Sequence, residues 1–386
     1  MIPYGRQHID HEDIAAVVQA LQSDWLTQGP MIEQFEQAIA KQVQAKYAVS
    51  TCNATAALHV ACRALGLGHG DRLWTSPNTF LASANCALFC GAQVDFVDID
   101  PRTYNLCPIA LEEKLKQAEK QGALPKIIMP VHFAGQSCDM EKIFQLAKRY
   151  HCFVLEDASH AIGADYHETK VGSCKYSDIS VFSFHPVKIM TTGEGGVAVT
   201  NQIHLYEKMK SLRSHGMTKN QDEMDKSPEG NWYYQQIDLG YNYRLTDLQA
   251  ALGLTQLNKL EKFIHRRRFL AKRYHEKLAD LPIQLPLQHH LDQSSWHLYV
   301  IQVADRSSIF KQLREAGIGV QVHYIPVHTQ PYYQKMGFKH GDFPHAEQYY
   351  AQAITLPLYY DLTNEDQDFV IHTLKKICVK TTGGDR

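Results

Sequence analysis

Two rhythms of apolar and polar positions run along this chain. Between residues 9 and 22, Ile14, Val17, Val18 and Leu21 recur at helical spacing, and a second helical stretch runs from Met31 to about Val43. The short run Tyr47-Ala48-Val49-Ser50 breaks at Thr51, Cys52 and Asn53, and an Ala/Leu-rich helical segment follows from Ala54 to about Leu65. Strand-like runs are predicted at Arg72–Ser76, Val94–Val97, Lys126–Val131, Phe153–Glu156, Ile179–Phe184 and Gly196–Val199. Helical segments such as Leu111–Gln121 and Met140–Tyr150 separate most of them. This alternation predicts an α/β fold with a mostly parallel sheet flanked by helices. In such sheets ligands sit outside the carboxyl ends of the strands, where Asp157, Ser183 and the Asn53 turn all fall.

Near residue 258 the rhythm changes. A long basic helix is expected over residues 258–275, carrying Lys259, Lys262, Arg266, Arg267, Arg268, Lys272 and Arg273. The neighbouring sequence supplies no wider basic field, so it reads as a solvated helix linking two domains rather than a nucleic-acid surface. Strand-like His297–Val303, a helix near Ser308–Ala316, strand-like Gly319–His323 and a last helix from about Asp366 to Ile377 complete the pattern. A large domain over 1–258 and a small α+β domain over 259–386 follow, with a mobile tail over 381–386.

Composition narrows the function class. At 386 residues the chain exceeds one small core, and its net charge of -2 argues against an electrostatic nucleic-acid binder. No apolar run approaches the ~20 residues that span a bilayer. The first residues lack signal-peptide architecture, so the expected compartment is the cytoplasm. The nine cysteines are odd in number, scattered and without a CxxC pair, which suits free buried thiols. The 21 histidines lack metal-ligand spacing, and no metal is expected.

The chemistry is concentrated in three strand ends. Lys188 follows the run closing at Ser183 and precedes Thr191-Thr192-Gly193-Glu194-Gly195-Gly196, while Asp157 closes the run Phe153–Glu156. Pyridoxal 5'-phosphate chemistry needs these groups: a lysine to hold the aldehyde as a Schiff base and move a proton, a carboxylate to keep the pyridine nitrogen protonated, and a hydroxyl for the phosphate. The turn Asn53-Ala54-Thr55 opens a helix whose free N–H groups favour an anion, although many helices begin with such a cap. His160 is placed to bond the ring's phenolic oxygen or to serve as a structural histidine.

Together these residues resemble the sugar aminotransferases of the DegT/DnrJ/EryC1/StrS family. The resemblance runs from Leu26-Thr27-Gln28-Gly29-Pro30 to Leu356-Pro357-Leu358. It includes Pro77-Asn78-Thr79-Phe80, Pro130-Val131-His132-Phe133-Ala134-Gly135-Gln136, Leu212-Arg213-Ser214-His215-Gly216, Gly240-Tyr241-Asn242-Tyr243-Arg244-Leu245-Thr246-Asp247 and Val322-His323-Tyr324. It implies the aspartate-aminotransferase-like fold (fold type I) and a homodimer with shared active sites. Asn242 would reach the phosphate of the partner's cofactor and Phe80 would stack on the pyridine ring. Asp157-Ala158-Ser159-His160 and Gln321-Val322-His323-Tyr324 resemble one branch, which takes L-glutamate as amino donor and aminates C4 of a UDP-linked 4-keto-6-deoxy-N-acetyl-L-hexose. Its product is UDP-4-amino-4,6-dideoxy-N-acetyl-β-L-altrosamine, for pseudaminic acid biosynthesis. A D-configured 4-keto or a 3-keto nucleotide sugar is the alternative, and a non-catalytic cofactor-binding regulator a third. Tyr4, Arg6, His185, Tyr324 and His328 are candidate substrate contacts.

Overall fold

Seven of the predicted runs close into one sheet in the computed structural model, which describes residues 1–288 and 292–382. They are β1 (Tyr47–Thr51), β2 (Arg72–Thr75), β3 (Gln93–Phe96), β4 (Ile127–Met129), β5 (Phe153–Asp157), β6 (Ile179–Ser183) and β7 (Gly196–Thr200). Their order is β1-β7-β6-β5-β4-β2-β3. Only β7 runs against its neighbours. An antiparallel pair needs no crossover helix, so residues 184–195 join β6 to β7 as a loop.

Alternate side chains on each strand enter different cores, as the period of two requires. Val49, Val181 and Ala198 pack with Ala57, Leu58 and Ala61 of the helix Ala54–Ala64. Ala48, Phe182, Val197 and Val199 pack with Phe35 and Ile39 of the helix Pro30–Val43. Both sheet faces are thus covered, which is why β6 and β7 are buried throughout.

A second core gathers Leu270, Tyr274, Trp296, Tyr299, Ile301, Leu313, Leu356 and Leu374 around β8 (Tyr299–Gln302) and its antiparallel neighbour β9 (Ala353–Leu356). The expected strand Gly319–His323 is instead a single bridge from Gln321 to Thr355. The basic helix spans Leu260–Leu278 and ties the two cores, with Leu260 and Phe263 in one and Leu270 and Tyr274 in the other. Its charges are not merely solvated: Arg267 is buried, Arg268 pairs with Asp165 and Arg273 with Asp368. A division at residues 258/259 remains our proposal, and Ile2 belongs with the second core, bridging Ile318. The final helix runs Asn364–Thr382. Thr381 and Thr382 therefore close a helix rather than a tail, and 383–386 lie outside the described residues.

One amphipathic expectation is reversed. In the helix His11–Leu21 the predicted apolar face is exposed (Ile14 58%, Val18 44%, Leu21 55%), while Asp13 is fully buried. The polar side docks because Asp13 accepts from Thr255 Oγ1 at 2.6 Å and Gln256 Nε2 at 2.8 Å and pairs with Lys259 at 3.0 Å. Cys52, Cys62, Cys86, Cys90, Cys107, Cys138, Cys152 and Cys174 are free thiols, and no described helix is long and apolar enough to cross a membrane.

Candidate active site

Gly196 organises the first part of the site. It pairs with Thr51 on one side and Ser183 on the other, so the ends of β1 and β6 flank it. A Cβ placed on Gly196 would lie 2.6 Å from the Asn53 carbonyl carbon and from the Ala54 nitrogen and Cα. Only a glycine lets this turn rest on β7. Asn53 Oδ1 accepts the Ala56 N–H at 2.9 Å and so caps the helix. The amides of Ala54 and Thr55, first in that helix, have no intrahelical acceptor. Those two donors, the helix dipole and the buried Ser183 hydroxyl form a cradle fit for a phosphate group.

Asp157 ends β5 beside this cradle, with its carboxylate buried. It accepts from Ser83 Oγ at 2.5 Å and from the Ser159 N–H at 3.1 Å, and Thr79 Oγ1 lies 2.7 Å from Ser83 Oγ. These bonds fix the orientation of the carboxylate. Lys188 lies on the β6–β7 loop, where its N–H donates to the His185 carbonyl at 2.8 Å. The whole residue is only partly buried, yet its ammonium is well desolvated. Burial lowers its pKa to about 8 although the Asp157 charge pulls the other way.

Three buried histidines share this environment. Burial, reinforced by the Lys188 charge, holds His160 well below its ordinary pKa and His323 down to about 3. Burial and then His160 and Lys188 do the same to His297. His160 Nδ1 accepts the Ala134 N–H at 3.3 Å, so its proton resides on Nε2, which donates to Tyr324 Oη at 3.1 Å. Both ring nitrogens are thereby committed, and the proton left to give is that of Tyr324. Burial pushes the Tyr324 pKa far up, so its hydroxyl remains a donor.

The other candidates fall at the rim. Phe80 is 58% exposed, with its ring 6.2 Å from that of Tyr324. Tyr4 packs over His323 at 5.4 Å, while Arg6 and His185 are exposed. Asn242 is exposed on a segment whose next residue, Tyr243, accepts the Cys52 N–H at 2.8 Å, so this segment abuts the phosphate turn. His328 does not join the group. It is fully buried between Phe96 and Phe343 and bonded to Glu347 at 2.9 Å, which leaves no face for a substrate. Ser83 and His297 escape sequence reasoning. Ser83 is an ordinary serine at the start of a helix, and His297 stands at the edge of a strand-like run, so neither carries a motif.

The chain as a whole matches a known family. The chain belongs to the DegT/DnrJ/EryC1/StrS aminotransferase family, whose model matches residues 7–375. It is therefore a pyridoxal phosphate-dependent sugar aminotransferase. The chain is 41% identical over 385 residues to the spore coat polysaccharide biosynthesis protein SpsC of Bacillus subtilis (strain 168), covering 97% of each chain. It is 38% identical over 391 residues to the UDP-4-amino-4,6-dideoxy-N-acetyl-β-L-altrosamine transaminase of Campylobacter jejuni subsp. jejuni serotype O:2, covering 100% of this chain and 99% of that one. Among solved structures, Helicobacter pylori PseC, an aminotransferase involved in the biosynthesis of pseudoaminic acid, superposes with a TM-score of 0.90. It is 33% identical, covering 98% of this chain and 99% of that one.

Proposed function

We propose that the enzyme moves the amino group of L-glutamate to C4 of a UDP-linked 4-keto-6-deoxy-N-acetyl-L-hexose, giving UDP-4-amino-4,6-dideoxy-N-acetyl-β-L-altrosamine. Lys188 carries this reading: a lysine with its pKa lowered to about 8 stands beside a fixed carboxylate and a phosphate cradle. The end-to-end likeness to the Campylobacter jejuni transaminase supports the substrate.

Bound pyridoxal phosphate supplies an electron sink that loosens a carbon–hydrogen bond. The protein supplies the rest. Ala54, Thr55 and Ser183 hold the phosphate, and Asp157 keeps the pyridine nitrogen protonated. Phe80 covers the ring, and Tyr324, oriented by His160, donates to the phenolic oxygen. Lys188 Nζ takes the proton from the α-carbon of glutamate and later gives one to C4 of the sugar. A pKa near 8 suits both directions, because neither protonation state is rare near neutrality. Tyr4, Arg6 and His185 line the approach for the nucleotide sugar. A second copy of the chain covers the apolar stripe Ile14, Val18, Leu21 and brings its own Asn242 to the phosphate.

The 41% identity to a spore coat polysaccharide biosynthesis protein keeps a second reading in play, an aminotransferase acting on another nucleotide-linked keto sugar, D-configured or ketonised at C3. A spectrum of the cofactor-loaded enzyme separates the two. Glutamate should bleach the visible cofactor band, and the L-configured 4-keto sugar should restore it faster than other ketosugars. Restoration by a D-configured or 3-keto sugar instead selects the second reading. Lys188→Ala should abolish the response to glutamate, and turnover at the wild-type rate would remove Lys188 from the mechanism.

A further inference from the structure

His297 has a ring that the protein leaves unsatisfied. The residue is 4% exposed, and among the described residues its ring contact is His160, with centroids 4.4 Å apart. Neither ring nitrogen has a hydrogen-bond partner among the described residues. Nδ1 is sealed without a partner, whereas Nε2 retains a little solvent contact. Buried polar groups are normally hydrogen-bonded, so Nε2, unpartnered among the described residues and not sealed, is the ring atom left for a ligand.

The segment bearing His297 is held firmly. Arg267 Nη1 donates to the carbonyls of Trp296, His297 and Leu358 at 3.2, 3.2 and 3.0 Å. Ser295 Oγ donates to the His160 carbonyl at 2.8 Å. Gly135 makes this approach possible, because a Cβ there would lie 2.5 Å from Ser295 Oγ and 2.9 Å from the His297 nitrogen. The glycine of the Phe133-Ala134-Gly135 motif is therefore what lets residues 295–297 dock beside His160.

The charge around this ring is unbalanced. Arg267 is 2% exposed and, among the described residues, forms no ion pair and donates to carbonyls alone, so its guanidinium is a buried cation. With Lys188 it outweighs the single carboxylate of Asp157. That nearby positive charge favours a bare nitrogen inside and the proton on Nε2, where it can be given away.

We propose that His297 binds a carboxylate of the amino donor, with Nε2–H donating to a carboxylate oxygen and Arg267 acting as the positioning residue behind it. This rests on the aminotransferase reading above. The donor's α-carboxylate is attached to the carbon whose proton Lys188 takes, so it must lie close to Lys188, and His297 borders that site through its stack on His160, which bonds Tyr324. The diphosphate of a nucleotide sugar is separated from the reacting carbon by the sugar ring and is the less suitable anion.

His297→Phe keeps the stack on His160 and removes the donor, while His297→Gln restores a donor. With cofactor-loaded protein, the dissociation constant of 2-oxoglutarate from the aminated enzyme is read from the visible spectrum, alongside KM for glutamate, KM for the sugar and inhibition by UDP. The Phe variant should weaken 2-oxoglutarate and glutamate by about 10–100-fold, leave UDP and the sugar within about 2-fold, and be partly rescued by Gln. Loss of UDP or sugar affinity instead would assign the ring to the diphosphate and overturn the proposal, as would unchanged 2-oxoglutarate binding. His297→Leu replaces the Phe variant should that one fail to fold. A wild-type enzyme that does not respond to glutamate would sink the aminotransferase reading first, a result distinct from failure of the variants alone.

Discussion

A single methyl group at Gly196 separates the phosphate cradle from the rest of the site. In Gly196→Ala the new Cβ would lie 2.6 Å from three backbone atoms of Asn53 and Ala54. Carbon contacts relax at about 3.5–4.0 Å, so the turn must retreat by about 1 Å. Overpacking of this kind costs about 1–3 kcal/mol of stability. The larger effect falls on ligand binding. The amides of Ala54 and Thr55 are aimed by this turn, and a hydrogen bond to a charged group contributes about 1.5–3 kcal/mol. Losing the alignment of both predicts about 3 kcal/mol, or roughly 100-fold weaker pyridoxal phosphate. Titration with pyridoxal, which lacks the phosphate, is the control. Its affinity should change by less than about 3-fold, since Asp157 and Lys188 do not touch Gly196. Equal losses for both compounds, or none for pyridoxal phosphate, would refute the cradle as drawn.

Two further predictions concern protons and assembly. An unfolded histidine titrates near ~6.5, whereas His323 in the fold stays neutral down to about 3. As pH falls from ~6.5 the unfolded chain therefore binds protons that the folded chain refuses, and stability is lost. Each such group costs about 1.4 kcal/mol per pH unit, or about 2 kcal/mol at pH 5. Urea unfolding should show a shallower decline in His323→Gln, and an unchanged slope would mean that His323 is protonated in the fold. For assembly, Ile14→Glu with Val18→Glu should convert a sedimenting dimer to monomer while changing protomer stability by no more than ~0.5 kcal/mol per site, as both side chains are exposed. An oligomeric state unaffected by both charges would place the interface elsewhere.

Much of this enzyme is legible without coordinates, because some signals are local. Strand and helix periods depend on neighbouring residues, so the seven-stranded sheet could be anticipated nearly strand by strand. The placing of Asp157 and Ser183 at strand ends and of Asn53 at a helix start is legible because strand and helix ends are set by local pattern. Periodicity failed where a helix's partner was remote. The apolar stripe of His11–Leu21 looks inward by spacing, yet Asp13 turns the other side inward through Thr255, Gln256 and Lys259.

The sequence by itself determined the alternation of strands and helices, the residues able to serve a phosphate, a ring nitrogen and a proton, and the family to which they belong. Only the tertiary structure decided that Gly196 supports the Asn53 turn, that Ser83 fixes Asp157, that His160 bonds Tyr324, and that His328 is sealed in the core. It also decided the placing of His297 against His160, made possible by Gly135 and Arg267. Burial and hydrogen-bond partners come from residues far apart along the chain. A lysine's desolvation or a histidine's unsatisfied nitrogen therefore exists only once those distant segments have packed.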